Sequence, residues 1–173
     1  MAMPVGGLAR FEHCSFRDVR IKSWYAFTVE LIDCTFSGEL RGGFFNGTPL
    51  EEQQNGGDVR NEFHGNDFSQ MDLIDVGFRT GIDLTRQNLP VGPHYLYLEN
   101  AAEVLRLARR EIVGWTDLEL RQPALRLLQS DEDAVAKGQV QLFFDLREPR
   151  KSVRSTYSAL TDAYKRALKN IET

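Results

Sequence analysis

Counting from Phe11, apolar residues fall at every fifth position, Phe11, Phe16, Ile21, Ala26, Leu31 and Phe36. A second apolar set, Ala9, Cys14, Val19, Trp24, Val29 and Cys34, precedes each of these by two residues. The positions between are mostly polar, among them Arg10, Glu12, Ser15, Arg17, Asp18, Arg20 and Lys22. Neither the helical period of about 3.6 nor the simple alternation of a flat strand fits this spacing. A five-residue repeat with two inward positions does, and such self-similarity marks repeated structural units. The rhythm returns at Phe63, Phe68, Leu73 and Phe78, then slips by one residue to Leu84 and Leu89. Between the runs Leu40 and Phe45 supply two more inward positions. Residues 46–60, NGTPLEEQQNGGDVR, carry Asn, Gly and Pro with little to bury, and read as an inserted loop.

The run of repeats resembles the pentapeptide-repeat family, in which a small or apolar residue and a polar one precede Leu or Phe and two further polar residues follow. The resemblance covers about residues 9 to 90. It implies a β-solenoid, a right-handed quadrilateral β-helix of about three to four coils over residues 1–93, with four pentapeptides to a coil. Positions about 20 apart would then stack one strand spacing, about 4.8 Å, from each other. That places Cys14 under Cys34 and predicts two columns, Phe11, Leu31, Phe63, Leu84 and Phe16, Phe36, Phe68, Leu89. Leu73 and Phe78 fill further inward positions. The ends of such a stack are open strand edges that invite unwanted pairing.

After Pro90 to Pro93 the period becomes helical, so residues 94–173 are expected to form a cap or bundle of three to four helices. Asn100 followed by Glu103 resembles a capping box, with Ala101, Val104, Leu105, Ala108 and Ile112 as the apolar stripe before Gly114. Thr116 and Glu119 suggest a second start, with Pro123 in its first turn. Ser130 and the acidic run Asp131 to Asp133 suit a third helix N-terminus, carrying Val135, Leu142, Phe143 and Leu146 up to Pro149. Val153, Tyr157, Leu160, Tyr164, Ala167 and Ile171 define a terminal amphipathic helix. Its stripe suits core packing and is also compatible with a homodimer through the C-terminal helix.

Composition narrows the function classes. The chain is 42% apolar and 27% charged, ordinary for a globular protein and unlike a disordered one. Residues 1–100 carry 8 Lys and Arg against 14 Asp and Glu, whereas residues 101–173 carry 13 against 11. An acidic first part argues against direct nucleic-acid binding, which needs a basic footprint. No leader-like pattern and no apolar stretch of bilayer length occurs, so a soluble, cytoplasmic protein without membrane contact is expected.

Candidate chemistry is sparse. His64 and Asp67 are the best acid–base pair, but both fall on outward positions of neighbouring repeats. With Tyr25, also outward, they are the candidate binding residues. Cys14 and Cys34 are two thiols, too few to close a zinc site, and read as small inward fillers. Asn61 and Asn66 read as amides bonded to turn backbone. No catalytic set, metal site or cofactor motif emerges. The leading expectation is a non-enzymatic protein-binding scaffold or interaction module with an unidentified protein partner. The alternative is a small-ligand binder or enzyme with a site between the 46–60 loop and the helices, using His64. Some proteins of the resembling family are acidic mimics of duplex DNA that bind type II topoisomerases. This chain is short and weakly charged for that role.

Overall fold

Left-handed bends recur at five-residue spacing through much of the repeating region. In the computed structural model of the protein, which describes residues 9–49, 59–147 and 154–171, His13, Asp18 and Ser23 have φ of 52°, 51° and 59°. Asp33, Gly38 and Gly43 repeat the step at 51°, 110° and 137°, and Asp75 and Thr80 do so later at 54° and 58°. Short polar residues and glycine tolerate this left-handed conformation best, which explains why the non-apolar corner of each repeat is so often Asp, Ser or Gly. At Gly43 no side chain fits, because a Cβ would lie 2.1 Å from the carbonyl oxygen of Trp24.

Among the described residues, the extended stretches between bends form six parallel strands. Strands β1 (Ala9–Glu12), β3 (Val29–Ile32) and β5 (Phe63–His64) make one sheet in the order β1-β3-β5. Strands β2 (Ser15–Ala26), β4 (Thr35–Asn46) and β6 (Asp67–Arg79) make the second, in the order β2-β4-β6. Phe11 pairs with Leu31 and Leu31 with Phe63, while Ile21, Leu40 and Leu73 are in register, as are Ala26, Phe45 and Phe78. Side chains of equal kind therefore stack across neighbouring strands. Phe16 lies on Phe36 at 4.8 Å and Phe36 on Phe68 at 4.6 Å, both nearly coplanar.

The architecture is not the quadrilateral β-helix of three to four coils that the resemblance implies. β2 and β4 each run as one strand of 12 residues straight through their left-handed bends, so pairing yields two three-stranded parallel sheets rather than four separate faces. Leu84 lies in a 3-10 turn, Leu84–Arg86, instead of continuing a strand ladder. Part of the expected 46–60 loop, residues 50–58, lies outside the described residues.

The second part also departs from expectation. A short antiparallel pair, β7 (Tyr95–Leu98) and β8 (Leu142–Asp145), brackets helices α1 (Ala101–Val113) and α2 (Leu118–Ala136), and α3 (Arg154–Ile171) follows. Leu142 and Phe143, placed by sequence on a third helix, are strand residues, because α2 does not restart at Ser130 but continues to Ala136. Asp117 caps α2, accepting bonds from the amides of Glu119 (3.0 Å) and Leu120 (3.1 Å). Pro123 therefore falls beyond the first turn. Asn100 is the N-cap of α1 but its side chain makes no cap bond, and Glu103 pairs with Arg106 instead. Pro149 and Val153 lie outside the described residues.

Two apolar cores result. One is the column of inward residues between the sheets, built on Leu31, Phe36, Leu40, Phe45, Phe68 and Leu73. The other lies among the helices, around Leu105, Ile112, Leu128, Leu160 and Tyr164. Phe143 of β8 belongs to the first core and Leu142 to the second, so the β-pair joins them.

The last parallel strand would expose unpaired backbone, and the second part supplies its partners. Gln139 is fully buried and its Oε1 accepts from the amides of Gly81 (3.2 Å) and Ile82 (3.1 Å). Its Nε2 donates to the carbonyls of Ile82 and Gln141, both at 2.8 Å. Asn66, also fully buried, donates to Leu31 O (2.8 Å) and accepts from the Cys34 amide (3.1 Å), while Asn61 donates to Phe27 O and Asn46 O. Unsatisfied buried groups cost about 1–3 kcal/mol each, so these amides matter more than their number suggests. Gln139→Leu is expected to destabilise the protein by roughly 3 kcal/mol, by leaving several buried backbone groups unpaired. Urea unfolding checks this, and an unchanged midpoint would show that the strand end does not depend on Gln139.

Candidate interaction surface

The two ends of the parallel sheets are finished differently. At the β5 and β6 end the backbone is partly covered: Arg86 O and Asn88 O accept from the amides of Gly65 (2.8 Å) and Phe68 (2.7 Å), Tyr95 and Asp145 take the amides of Leu73 (3.0 Å) and Asp75 (3.3 Å), and beyond β6 Gln141 takes the amide of Leu84 at 3.2 Å. At the β1 and β2 end no strand lies beyond among the described residues. The inward side chains record the difference. Leu31, Cys34 and Phe36 are 0% exposed, whereas Phe11, Cys14, Phe16, Val19 and Ile21 are each only half-buried; Trp24 and Ala26 at the far end of β2 are buried again. Removing such surface from water is worth about 25 cal/mol per Å², so this end holds unused burial energy.

Polar groups frame the open end. Arg10 reaches Glu62 at 2.8 Å, Glu30 at 3.0 Å and Glu12 at 3.4 Å, an exposed cluster running down the strand edges. Arg17 donates to Ser15 Oγ at 3.1 Å. Arg20 and Lys22 are exposed and form no ion pair among the described residues.

A cleft of about 1250 Å³ separates the β4–β6 ladder from α2, β8 and α3. Half of its charged groups are paired with one another, Arg41 with Glu39 and Arg147 with Asp72 and Asp145. Arg147 binds Asp72 Oδ1 (2.5 Å), Asp145 Oδ1 (2.6 Å) and Leu73 O (2.7 Å), and lies over the ring of Tyr95 at 5.2 Å. The Tyr95 hydroxyl accepts from the Leu73 amide and donates to Asp72, both at 3.0 Å. Burial works against ionisation of Asp72, but the hydrogen bonds from Arg147 and Tyr95 prevail and hold its carboxyl below the usual range. Burial likewise disfavours the Arg147 cation, yet Asp145 and Asp72 hold its guanidinium above its ordinary value. On the opposite wall Tyr164 donates to Asp131 Oδ2 at 2.6 Å, and Tyr157 donates to Asp145 O at 2.9 Å. Burial pushes the Asp131 carboxyl up to about 6, opposed by the Tyr164 bond and assisted by the neighbouring charge of Glu132.

The residues singled out by sequence do not converge. His64, half-buried on β5, pairs with Ile32 in the sheet and does not line the cleft. Asp67 accepts from the Ser69 amide (2.9 Å) and Asn88 Nδ2 (3.0 Å), which ties the start of β6 to the following turn. No hydrogen bond or ion pair joins His64 to Asp67 among the described residues. Tyr25 is 43% exposed, its ring 5.4 Å from Phe44. Cys14 and Cys34 are free thiols donating to backbone carbonyls, and burial pushes the Cys34 thiol up, away from reactive thiolate. No group of three metal-ligating residues occurs among the described residues. Sequence reasoning missed the Arg147 cluster, since its members are up to 75 positions apart and each is an ordinary polar residue locally.

Comparisons of the chain with family models, with curated proteins and with solved structures return no match. Among the described residues no helix is long and apolar enough to cross a membrane.

The Asp131 environment sets a pH dependence. Its carboxyl titrates near 6 in the folded protein against an ordinary 3.8, so the folded chain binds the extra proton between those values. Stability should therefore fall as pH rises from about 4 to about 6 and then level off, by at most about 3 kcal/mol from this group. In Asp131→Asn that decline should disappear. Unfolding free energies of both proteins at several pH values across this window provide the measurement, and parallel curves would exclude the assignment.

Proposed function

We propose that the protein is a non-enzymatic interaction module that docks another polypeptide on the open end of its parallel sheets. The observation that carries this reading is the step in burial over the stretch from β1 to the middle of β2, half-buried Phe11, Phe16 and Ile21 against buried Leu31, Phe36 and Leu40. An added strand would pair with the free edges of β1 and β2 and cover those side chains, the mode of recognition by strand addition. The cleft supports ligand binding less well, because Arg147, Asp72, Asp145 and Tyr95 are already bonded to one another. Basic Arg17, Arg20 and Lys22 along β2 do not favour an acidic DNA-mimic role at this end. The resemblance to pentapeptide-repeat proteins rests on the sequence rhythm alone and adds no partner.

A photo-crosslinking residue placed at Arg17 or Tyr25, with Arg126 on α2 as control position, tests the docking surface in cells. Adducts to a polypeptide are expected at the two β2 positions and not at the control. Adducts at Arg126 alone, or at none of the three, would reject it.

A further inference from the structure

We propose that the polypeptide covering the open end is a second copy of this chain, joined head to head about a two-fold axis near Phe16. This inference rests on the open end being a docking surface.

Four features point to a second copy rather than an unrelated strand. First, the Phe68, Phe36, Phe16 stack is nearly coplanar, with ring pairs 2° and 9° from parallel, and its outermost ring is half-buried. The flat group that continues it best is another Phe16. Second, an antiparallel pairing centred on Phe16 matches kind at the strand positions, while at the corners Cys14 and Val19 meet the second copy's Asp18 and His13. It sets Phe11 opposite the second copy's Ile21, apolar on apolar, and Glu12 opposite the second copy's Arg20, acid on base. Arg10, which would face the second copy's Lys22, is already neutralised by Glu30 and Glu62, which leaves Glu12 for Arg20.

Third, closure follows from the finish of the other end. Asn88 bonds Phe68 at the start of β6, Gln139 and Gln141 hold the turn that follows β6, and β8 and α3 stand across the cleft from the rest of that strand, so a second copy cannot stack there in the same way. A head-to-head contact uses the same patch on both subunits and stops at two, whereas an open edge at each end would propagate. Fourth, the edge is small. β1 and β2 contribute 4 and 12 residues, below the roughly 20–30 residues a side of a standard interface, so a weak, concentration-dependent dimer is expected.

Sedimentation velocity of the full chain, from about 1 to 100 µM, covers the affinity range of small interfaces. The expected result is a monomer that becomes a dimer with rising concentration and goes no further. Phe16→Glu should abolish the dimer, and because that residue also packs on Phe36, a surface variant guards against simple misfolding. Arg20→Glu should weaken association about tenfold, and adding Glu12→Arg to it should restore the dimer by exchanging the two charges. Three outcomes would overturn the proposal: a monomer at every concentration, a dimer indifferent to both Phe16 and Arg20 variants, or association appearing only after residues 2–8 are removed, which would make the chain's own N-terminal segment the occupant. A monomer whose β2 crosslinkers still capture a different polypeptide would sink the second copy while leaving the docking surface intact.

Discussion

A parallel sheet cannot stop without leaving a row of amides and carbonyls unpaired, and the handling of that row shapes this protein. At the β6 end the chain provides partners from its own later residues. Gln139, three residues beyond α2, reaches back 58 and 57 positions to bond Gly81 and Ile82, and Gln141 reaches back 57 to Leu84. Arg147 and Tyr95 complete the seal on Leu73. The helices are thus held to the sheets by hydrogen bonds to backbone as much as by apolar contact. At the β1 end no such partners exist among the described residues, and the two ends of the sheets are finished differently.

Within the sheets, the inward columns provide the driving force and the corners provide the register. Phe36, Phe45 and Phe68 are almost completely removed from water and touch one another across strands. Burial of each is worth roughly 1.5–3 kcal/mol. Left-handed residues every five positions return the chain to the same orientation, so each strand presents its apolar side to the same interior. The insertion after Phe45 changes sequence spacing but not pairing, since Leu31 meets Phe63 directly.

The charged residues divide into two populations. Those facing the cleft, Asp72, Asp145 and Arg147, are mutually bonded and bind the two cores together. Those on the open edge, Arg20 and Lys22, have no such partners among the described residues. Partly buried ion pairs of the first kind hold geometry, while exposed charges of the second kind contribute little to stability. Asp131 stands apart, a half-buried carboxyl bonded to a buried tyrosine, and its raised titration is a cost of packing α3 against α2.

The sequence by itself determined the five-residue rhythm, which residues face inward, the pairing register of Phe11 with Leu31, and the helices around Leu105 and Leu160. These are local or strictly periodic properties, written in side-chain size and in residues that tolerate a bend. It also pointed to an exposed Tyr25, without saying whether anything binds there. Only the tertiary structure decided that the bent strands run on as two parallel sheets, that Leu142 and Phe143 form a strand beside Tyr95, and that α3 spends its apolar stripe on α1 and α2. It alone brought Arg147 to Asp72 and left His64 apart from Asp67. Those outcomes depend on which backbone groups find partners across the chain, and pairing between distant segments leaves no period in the sequence to read.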